Sequence, residues 1–246
     1  MEDVIDRLES VTRNFPRALF YGAGSLTAML TPSCGVGEIV NGDLAAERIG
    51  KRAPSVVFDE EAAPFAPDSF DLIVSLLTLH AANDPVGALA QMRAALKPDG
   101  LLIAVLFAED TLAELREALY ESEAEFAGGV SPRIAPFAGV KDLGSALQRA
   151  GLALPVADLD RVRVSYRDPY RLLADLKGMG EASSLANRGR GLRRDVIGAA
   201  LGRIAARESV TFDIAAMTGW APHESQQKPM KPGSAKRSLK DALEKF

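Results

Sequence analysis

The sequence predicts a doubly wound α/β domain, a mostly parallel sheet with helices on both faces and an antiparallel last strand. Three observations carry this. Strand-like and helix-like segments alternate through the first half of the chain. Asp71 to Leu77 and Leu101 to Phe107 are nearly all apolar, as strands covered on both faces must be. A glycine turn, Phe20-Tyr21-Gly22-Ala23-Gly24-Ser25-Leu26, follows the first strand.

Residues 1–13 read as a short helix with Val4, Ile5, Leu8 and Val11 on one face. Arg17 to Tyr21 is a short strand, and the glycine turn leads into a brief helix that Pro32 ends. Gly35-Val36-Gly37 enters a second strand, Glu38 to Val40, with Asp43 just past its end. Ser55 to Phe58 is a third, followed directly by Asp59-Glu60-Glu61. After the apolar fourth strand, Pro85 suits a first helical turn, and Val86, Leu89, Met92, Arg93 and Leu96 continue at helical spacing. Lys97-Pro98-Asp99-Gly100 reads as a turn, proline fixing one dihedral and glycine supplying a positive one. Asp110 or Thr111 is placed to cap a long helix running to about Phe126. Gly128 to Phe137 is a stiff loop, and Asp142 to Ala150 a helix closed by Gly151. Arg161 to Tyr166 alternates like an exposed strand, helices follow at Pro169–Lys177 and about Leu192–Arg207, and Val210 to Met217 is the last strand. Residues 1–222 are expected to form one domain and 223–246 a polar tail, irregular over 228–237 with a short helix at 238–246.

Composition narrows the function classes. The chain has 246 residues, 47% hydrophobic and 25% charged, enough for one sizeable core. A net charge of -4 gives no concentrated basic face for nucleic acid, and Lys228, Lys231, Lys236 and Arg237 read as a solvated tail. No apolar stretch approaches membrane-spanning length, and no signal core is seen at the N-terminus, so a cytoplasmic location is expected. The single cysteine, Cys34, excludes an intramolecular disulfide and argues against a thiolate metal site. An iron site of two histidines and a carboxylate would need both His80 and His223, and no spacing motif supports it. No metal is expected, and no serine or cysteine nucleophile motif is present.

In a doubly wound sheet the ligand lies outside the carboxyl ends of the strands, at the point where strand order reverses. That rule groups Gly22, Ala23 and Gly24 with Asp43, Leu44, Asp59, Glu60 and the Leu79–Asp84 segment, and Ser75 on the fourth strand joins the candidates. Asp43 lies 19 residues after Gly24, close to the spacing of about 20 at which an acid takes ribose hydroxyls. Asp59 or Glu60 can accept an adenine amino group. Singly, a Gly-Ala-Gly is a turn, Asp43 a solvated loop acid and the acidic triplet a surface run. Their common order on consecutive strands favours a nucleoside site.

On the substrate side, His80 can act as a base near neutral pH, or be a histidine hydrogen-bonded to backbone at a strand end. Asn83-Asp84-Pro85 is explained mostly by helix capping. Arg133 in the stiff loop can bind a carboxylate or close a lid. Gly178 to Glu181 and Asn187-Arg188 fall where this architecture builds its acceptor side. Trp220, His223 and Glu224 carry either a functional role or a tie-down of the tail.

The order of Arg17 to Phe107 resembles the class I S-adenosylmethionine (SAM)-dependent methyltransferases, whose sheet is Rossmann-like. The stretches SFDLIVSLLTLHAANDPVGAL and LKPDGLLIAVLF-x-x-DTLAELR carry that likeness. GGVSPRIAPFA, LKGMGEASSLANR and GWAPHESQQKP are more particular and resemble the bacterial relatives of mitochondrial complex I assembly factor 5. The resemblance implies SAM as cofactor, carried to Gly22, Gly24, Asp43, Asp59 and Glu60. It implies a methyltransferase acting on a small-molecule or protein acceptor, a complex I subunit among the candidates. The mitochondrial members imply an alternative, hydroxylation of a partner's arginine, and a third reading is an assembly protein without catalysis.

Two departures bear on the cofactor. The family's first strand ends in an acid two residues before the first glycine, where this chain has Phe20, and the usual third glycine is Leu26. Losing one charge-assisted hydrogen bond of about 1.5–3 kcal/mol would weaken binding about ten- to a hundredfold, and Phe20→Asp is expected to restore it. Relatives also carry a basic and aromatic leader ahead of the position of residue 1, of a kind that helps to cover such a site.

Overall fold

A computed structural model describes residues 1–49, 54–183, 185 and 191–227. Asn187-Arg188 and the segments 228–237 and 238–246 lie outside the described residues. Seven strands form one sheet in the order β3-β2-β1-β4-β5-β7-β6. They are β1 (Phe15–Tyr21), β2 (Val36–Asp43), β3 (Ser55–Val57), β4 (Phe70–Leu76), β5 (Leu96–Ala108), β6 (Ala153–Val164) and β7 (Val210–Trp220). The first five are parallel, and β7 inserts antiparallel between β5 and β6. Strand order reverses between β1 and β4, which makes their carboxyl ends the switch point.

Strand parity builds the two apolar faces. Ala18, Phe20, Leu72, Val74 and Ile103 point to one side, against Val4 and Leu8 of α1 (Glu2–Glu9). Leu19, Tyr21, Ile73, Leu102 and Ala104 point to the other, against α2 (Pro85–Ala95) and α4 (Val140–Arg149). A third cluster joins Phe107 and Phe212 to α3 (Ala113–Ala127), α5 (Pro169–Met179) and α6 (Arg194–Ala205). No described helix is long and apolar enough to cross a membrane.

Several boundaries differ from the sequence reading for local reasons. The segment after Gly22 is a 3-10 turn, Gly24–Met29, and Pro32 opens a second one, Pro32–Cys34. Lys97 to Gly100 is a bulge inside β5: Phe70 faces Leu96 while Leu72 already faces Leu101. The positive φ there belongs to Asp99, at 64°, and not to Gly100. Neither Asp110 nor Thr111 caps α3; Leu112 does so at φ 58°, because Asp110 is engaged with Arg161 and the Thr111 hydroxyl with the carbonyls of Ala108 and Asp213. β6 begins at Ala153 and runs along the whole of β7. The cap of α2 is as expected, Asp84 accepting from Gly87 N–H at 2.9 Å.

Candidate functional site

The carboxyl ends of β1 to β5 open into a cavity of about 1020 Å³, covered on its far side by α5 and the loop around Arg133 and Phe137. Its floor is set by where each strand stops. Asp43 is the last residue of β2 and is buried, its Oδ1 accepting from Ala45 N–H at 3.0 Å. Leu44 follows and is largely exposed. The acidic triplet after β3 divides its labour. Asp59 caps its own turn through Glu61 N–H, at 2.9 Å. Glu61 holds the N–H groups of Asn83 and Asp84, tying this turn to the start of α2. Glu60 points inward and is only 7% exposed.

Burial is the main reason that the Glu60 carboxyl is pushed up to about 7; Asp59 and Glu61 push the same way, against the Thr78 hydrogen bond and His80. Its Oε2 accepts from the Thr78 hydroxyl at 2.8 Å, and Thr78 in turn meets the Ser75 hydroxyl at 2.9 Å. Tyr21, beside Glu60, donates to the Phe58 carbonyl at 3.0 Å. Burial first, then Glu60 and Asp43, drive its phenol pKa well above the ordinary value.

Thr78 reaches Glu60 because the chain swings out of β4 through Leu77, whose φ of 51° is left-handed. For leucine that conformation costs about 1–2 kcal/mol, so the turn is imposed by its surroundings. Leu77 N–H is held by the Val105 carbonyl at 2.7 Å. Gly22 answers it from β1: at φ 73°, a Cβ there would lie 2.5 Å from the Leu76 carbonyl oxygen and 2.6 Å from the Thr78 methyl. Glycine is therefore required by the neighbouring strand end as well as by its own backbone.

The remaining sequence candidates separate. His80, in the 3-10 turn Leu79–Ala81, lines the cavity, and its Nε2 meets Glu181 Oε2 at 2.9 Å. Its partner is thus a carboxylate, not backbone. The ring packs edge-on against Phe107, with centroids 5.0 Å apart. Arg133 lines the cavity too, but its guanidinium is bound to the buried Glu123 of α3, which also holds Ser131 N–H at 2.8 Å. It pins the loop.

Four candidates lie away from the cavity lining. Ser75 is fully buried and faces Thr78, not the cavity, because strand parity turns it inward. Gly24 and Ala23 line neither this cavity nor the smaller one beside it; Gly24 packs against the Arg48 carbonyl, 2.9 Å from where its Cβ would be. His223 is at the wrong end of the sheet. β7 runs antiparallel, so Trp220 stands opposite Leu101 at the amino end of β5. There His223 meets the Ser225 hydroxyl at 2.7 Å, and Gln226 holds Asp99 and the Ala221 carbonyl at 2.8 Å each. Arg13 lies over the Trp220 ring and pairs with Asp99. These contacts tether the GWAPHESQ stretch at the amino end of β5.

A smaller cavity of about 360 Å³ adjoins the first on the α1 side, lined by Gly22, Leu26, Leu76 and Met179 among others. Leu26 is 44% exposed there and narrows it. Sequence reasoning missed Thr78, Leu77 and Arg48 at this junction; only a left-handed leucine and contacts far apart in sequence mark them.

These residues fit the nucleoside half of SAM: a buried acid ending β2, an inward carboxylate after β3 and an apolar flank at Leu44. At the amino-acid half, Phe20 is wholly buried in the α1-facing cluster and presents no carboxylate.

Residues 21–104 match the family model described as a methyltransferase domain. The human mitochondrial protein named arginine-hydroxylase NDUFAF5 is 40% identical over 246 residues, covering 94% of this chain and 71% of that protein. A Laribacter hongkongensis protein named malonyl-[acyl-carrier protein] O-methyltransferase is 39% identical over 147 residues, 59% of this chain and 47% of that protein. Among solved structures, the YcgJ protein of Bacillus subtilis matches with a TM-score of 0.56 at 16% identity, over 91% of this chain and 100% of that one. That likeness is one of fold.

Proposed function

The chain belongs to the family of the mitochondrial protein named arginine-hydroxylase NDUFAF5, and on that premise we propose that it is a SAM-dependent methyltransferase acting at the carboxyl ends of β1 to β5. The observation that carries the proposal is Asp43. It is a buried carboxylate at the end of β2, beside the switch point, with a cavity of about 1020 Å³ in front of it.

In this reading Asp43 takes the ribose hydroxyls, Asp59 or Glu60 takes the adenine amino group, and Leu44 covers the ring. SAM supplies an electrophilic methyl on a sulfonium, so transfer rests mainly on holding donor and acceptor in line. The wall of His80, Phe107 and Phe137 excludes water beside the acceptor. His80 borders that wall with its Nε2 on Glu181. The acceptor is a small molecule or a protein, and family membership points first to a subunit of respiratory complex I.

Hydroxylation of an arginine is the second reading. It is supported by the relative's name and by the carboxylates Asp43, Asp59, Glu60 and Glu181 around the cavity, which suit a guanidinium. Titration of SAM and S-adenosylhomocysteine into the protein by calorimetry tests the cofactor, with micromolar binding expected. Absence of binding to the folded protein refutes it and leaves an assembly protein without catalysis, for which Phe20 and Leu26 speak. Mass spectrometry of an arginine-bearing complex I peptide then separates the two enzyme readings, by gain of a methyl group or of an oxygen atom.

A further inference from the structure

Five residues line both cavities: Arg48, Leu77, Thr78, Phe107 and Glu181. Two of them are charged, with opposite sign. Glu181 follows Gly180, the C-cap of α5, and His80 holds its Oε2 at 2.9 Å while Oε1 has no partner among the described residues. His80 Nδ1 is buried and unpartnered. The tautomer that satisfies the ring best therefore carries its proton on Nε2, donates to Glu181, and leaves Nδ1 as a bare lone pair.

Arg48 reaches the same place from the turn after β2. Its Nη2 donates to the Met179 carbonyl at 3.0 Å, and its Nη1 lies 3.1 Å from where a Cβ of Gly180 would be. It thus packs along the backbone that presents Glu181. The junction offers one carboxylate and one guanidinium in the cavity that Gly22 and Thr78 also line. The pair suits a zwitterion: an ammonium donates to Glu181, and Arg48 donates to a carboxylate.

Resting on the cofactor reading above, we propose that Glu181 and Arg48 bind the amino-acid end of the cofactor, Glu181 standing in for the acid absent at Phe20, with His80 as its positioning residue. The other carboxylates of the smaller cavity are excluded by their partners or their place. Asp3 and Asp158 are both engaged by Arg7, at 2.9 and 2.7 Å. Asp160 is on β6, four strands along the sheet from β1.

The test compares S-adenosylhomocysteine with 5′-methylthioadenosine, which has the nucleoside and sulfur but no amino acid. By calorimetry, Glu181→Gln should bind S-adenosylhomocysteine about ten- to a hundredfold more weakly than the wild type and methylthioadenosine equally well. Arg48→Met should show the same asymmetry and serves if Glu181→Gln lacks a wild-type melting temperature. Unchanged affinity for S-adenosylhomocysteine, or equal loss for both ligands, overturns the assignment while the cofactor reading stands. Failure of the wild type to bind either ligand overturns both.

Discussion

Replacing Glu60 with glutamine should make the protein more stable in a way that depends on pH. The carboxyl titrates at about 7 in the folded chain against an ordinary 4.5. A raised carboxyl pKa means that the folded state prefers the neutral acid. Glu60 therefore contributes its full stability below pH 4.5, loses it progressively as pH rises, and has lost it above 7. The gap of about 2.5 corresponds to about 3 kcal/mol, at 1.36 kcal/mol per unit. Because the side chain is only 7% exposed, solvent screening removes little of this. Glutamine keeps the shape and an oxygen to accept the Thr78 hydroxyl, but has no charge to bury.

Urea unfolding of both proteins at pH 5, 6, 7 and 8 separates this group from carboxylates remote from it. The depressed Asp213 and Glu114, which lose their contributions only as pH falls, cancel in the difference. The variant should gain up to about 3 kcal/mol on the wild type between pH 5 and pH 8. A difference that stays flat across that range would mean that Glu60 is solvated in solution, and the reasoning about its inward placement would be wrong.

Gly22→Ala should cost about 2 kcal/mol or more, from the left-handed backbone and the collision with the Leu76 carbonyl, and lower the melting temperature by about 5 °C. A melting curve like the wild type would show that the β1 turn can move away from β4. Arg133→Ala should cost about 3 kcal/mol by leaving Glu123 buried with only Ser131 N–H, and changing both residues to methionine should recover most of it. Wild-type stability with weakened ligand binding would return Arg133 to the substrate. Phe20→Asp should unfold the protein or nearly so, by circular dichroism, since it removes a wholly buried ring and buries a charge among Val4, Leu8, Leu72 and Val74. A stable variant with tightened SAM binding would show that the cluster opens to admit ligand.

The strand ends that frame the candidate site were legible because they are written locally. Each strand end carries its own mark: apolar runs for β4 and β5, Gly22 after β1, Asp43 ending β2, and the acids after β3. Asp84-Pro85 announced α2 in the same way. What stayed hidden is what the topology assembles from a distance. Glu181 meets His80 across 101 residues, and no spacing rule joins them. The direction of β7 decides that His223 lies at the far edge, and parity alone turns Ser75 away from the cavity. The left-handed Leu77 has no signal in its residue type, since leucine rarely adopts that backbone.

Phe20 reads differently once its neighbours are known. In the sequence it is a missing acid; in the fold it is a wholly buried ring beneath α1. Burying such a ring contributes about 1.5–3 kcal/mol to folding. The hydrogen bond that an acid would have given a cofactor is also worth about 1.5–3 kcal/mol. The two effects act on different equilibria, so Phe20 exchanges affinity for stability. Whether function is lost then depends on who else can hold the ammonium. Glu181 is held in place by a histidine at the end of the very strand that abuts Gly22, so the charge can be replaced from outside the motif. A degenerate motif and a competent site are compatible in this chain, and affinity at Glu181 separates them from a degenerate site.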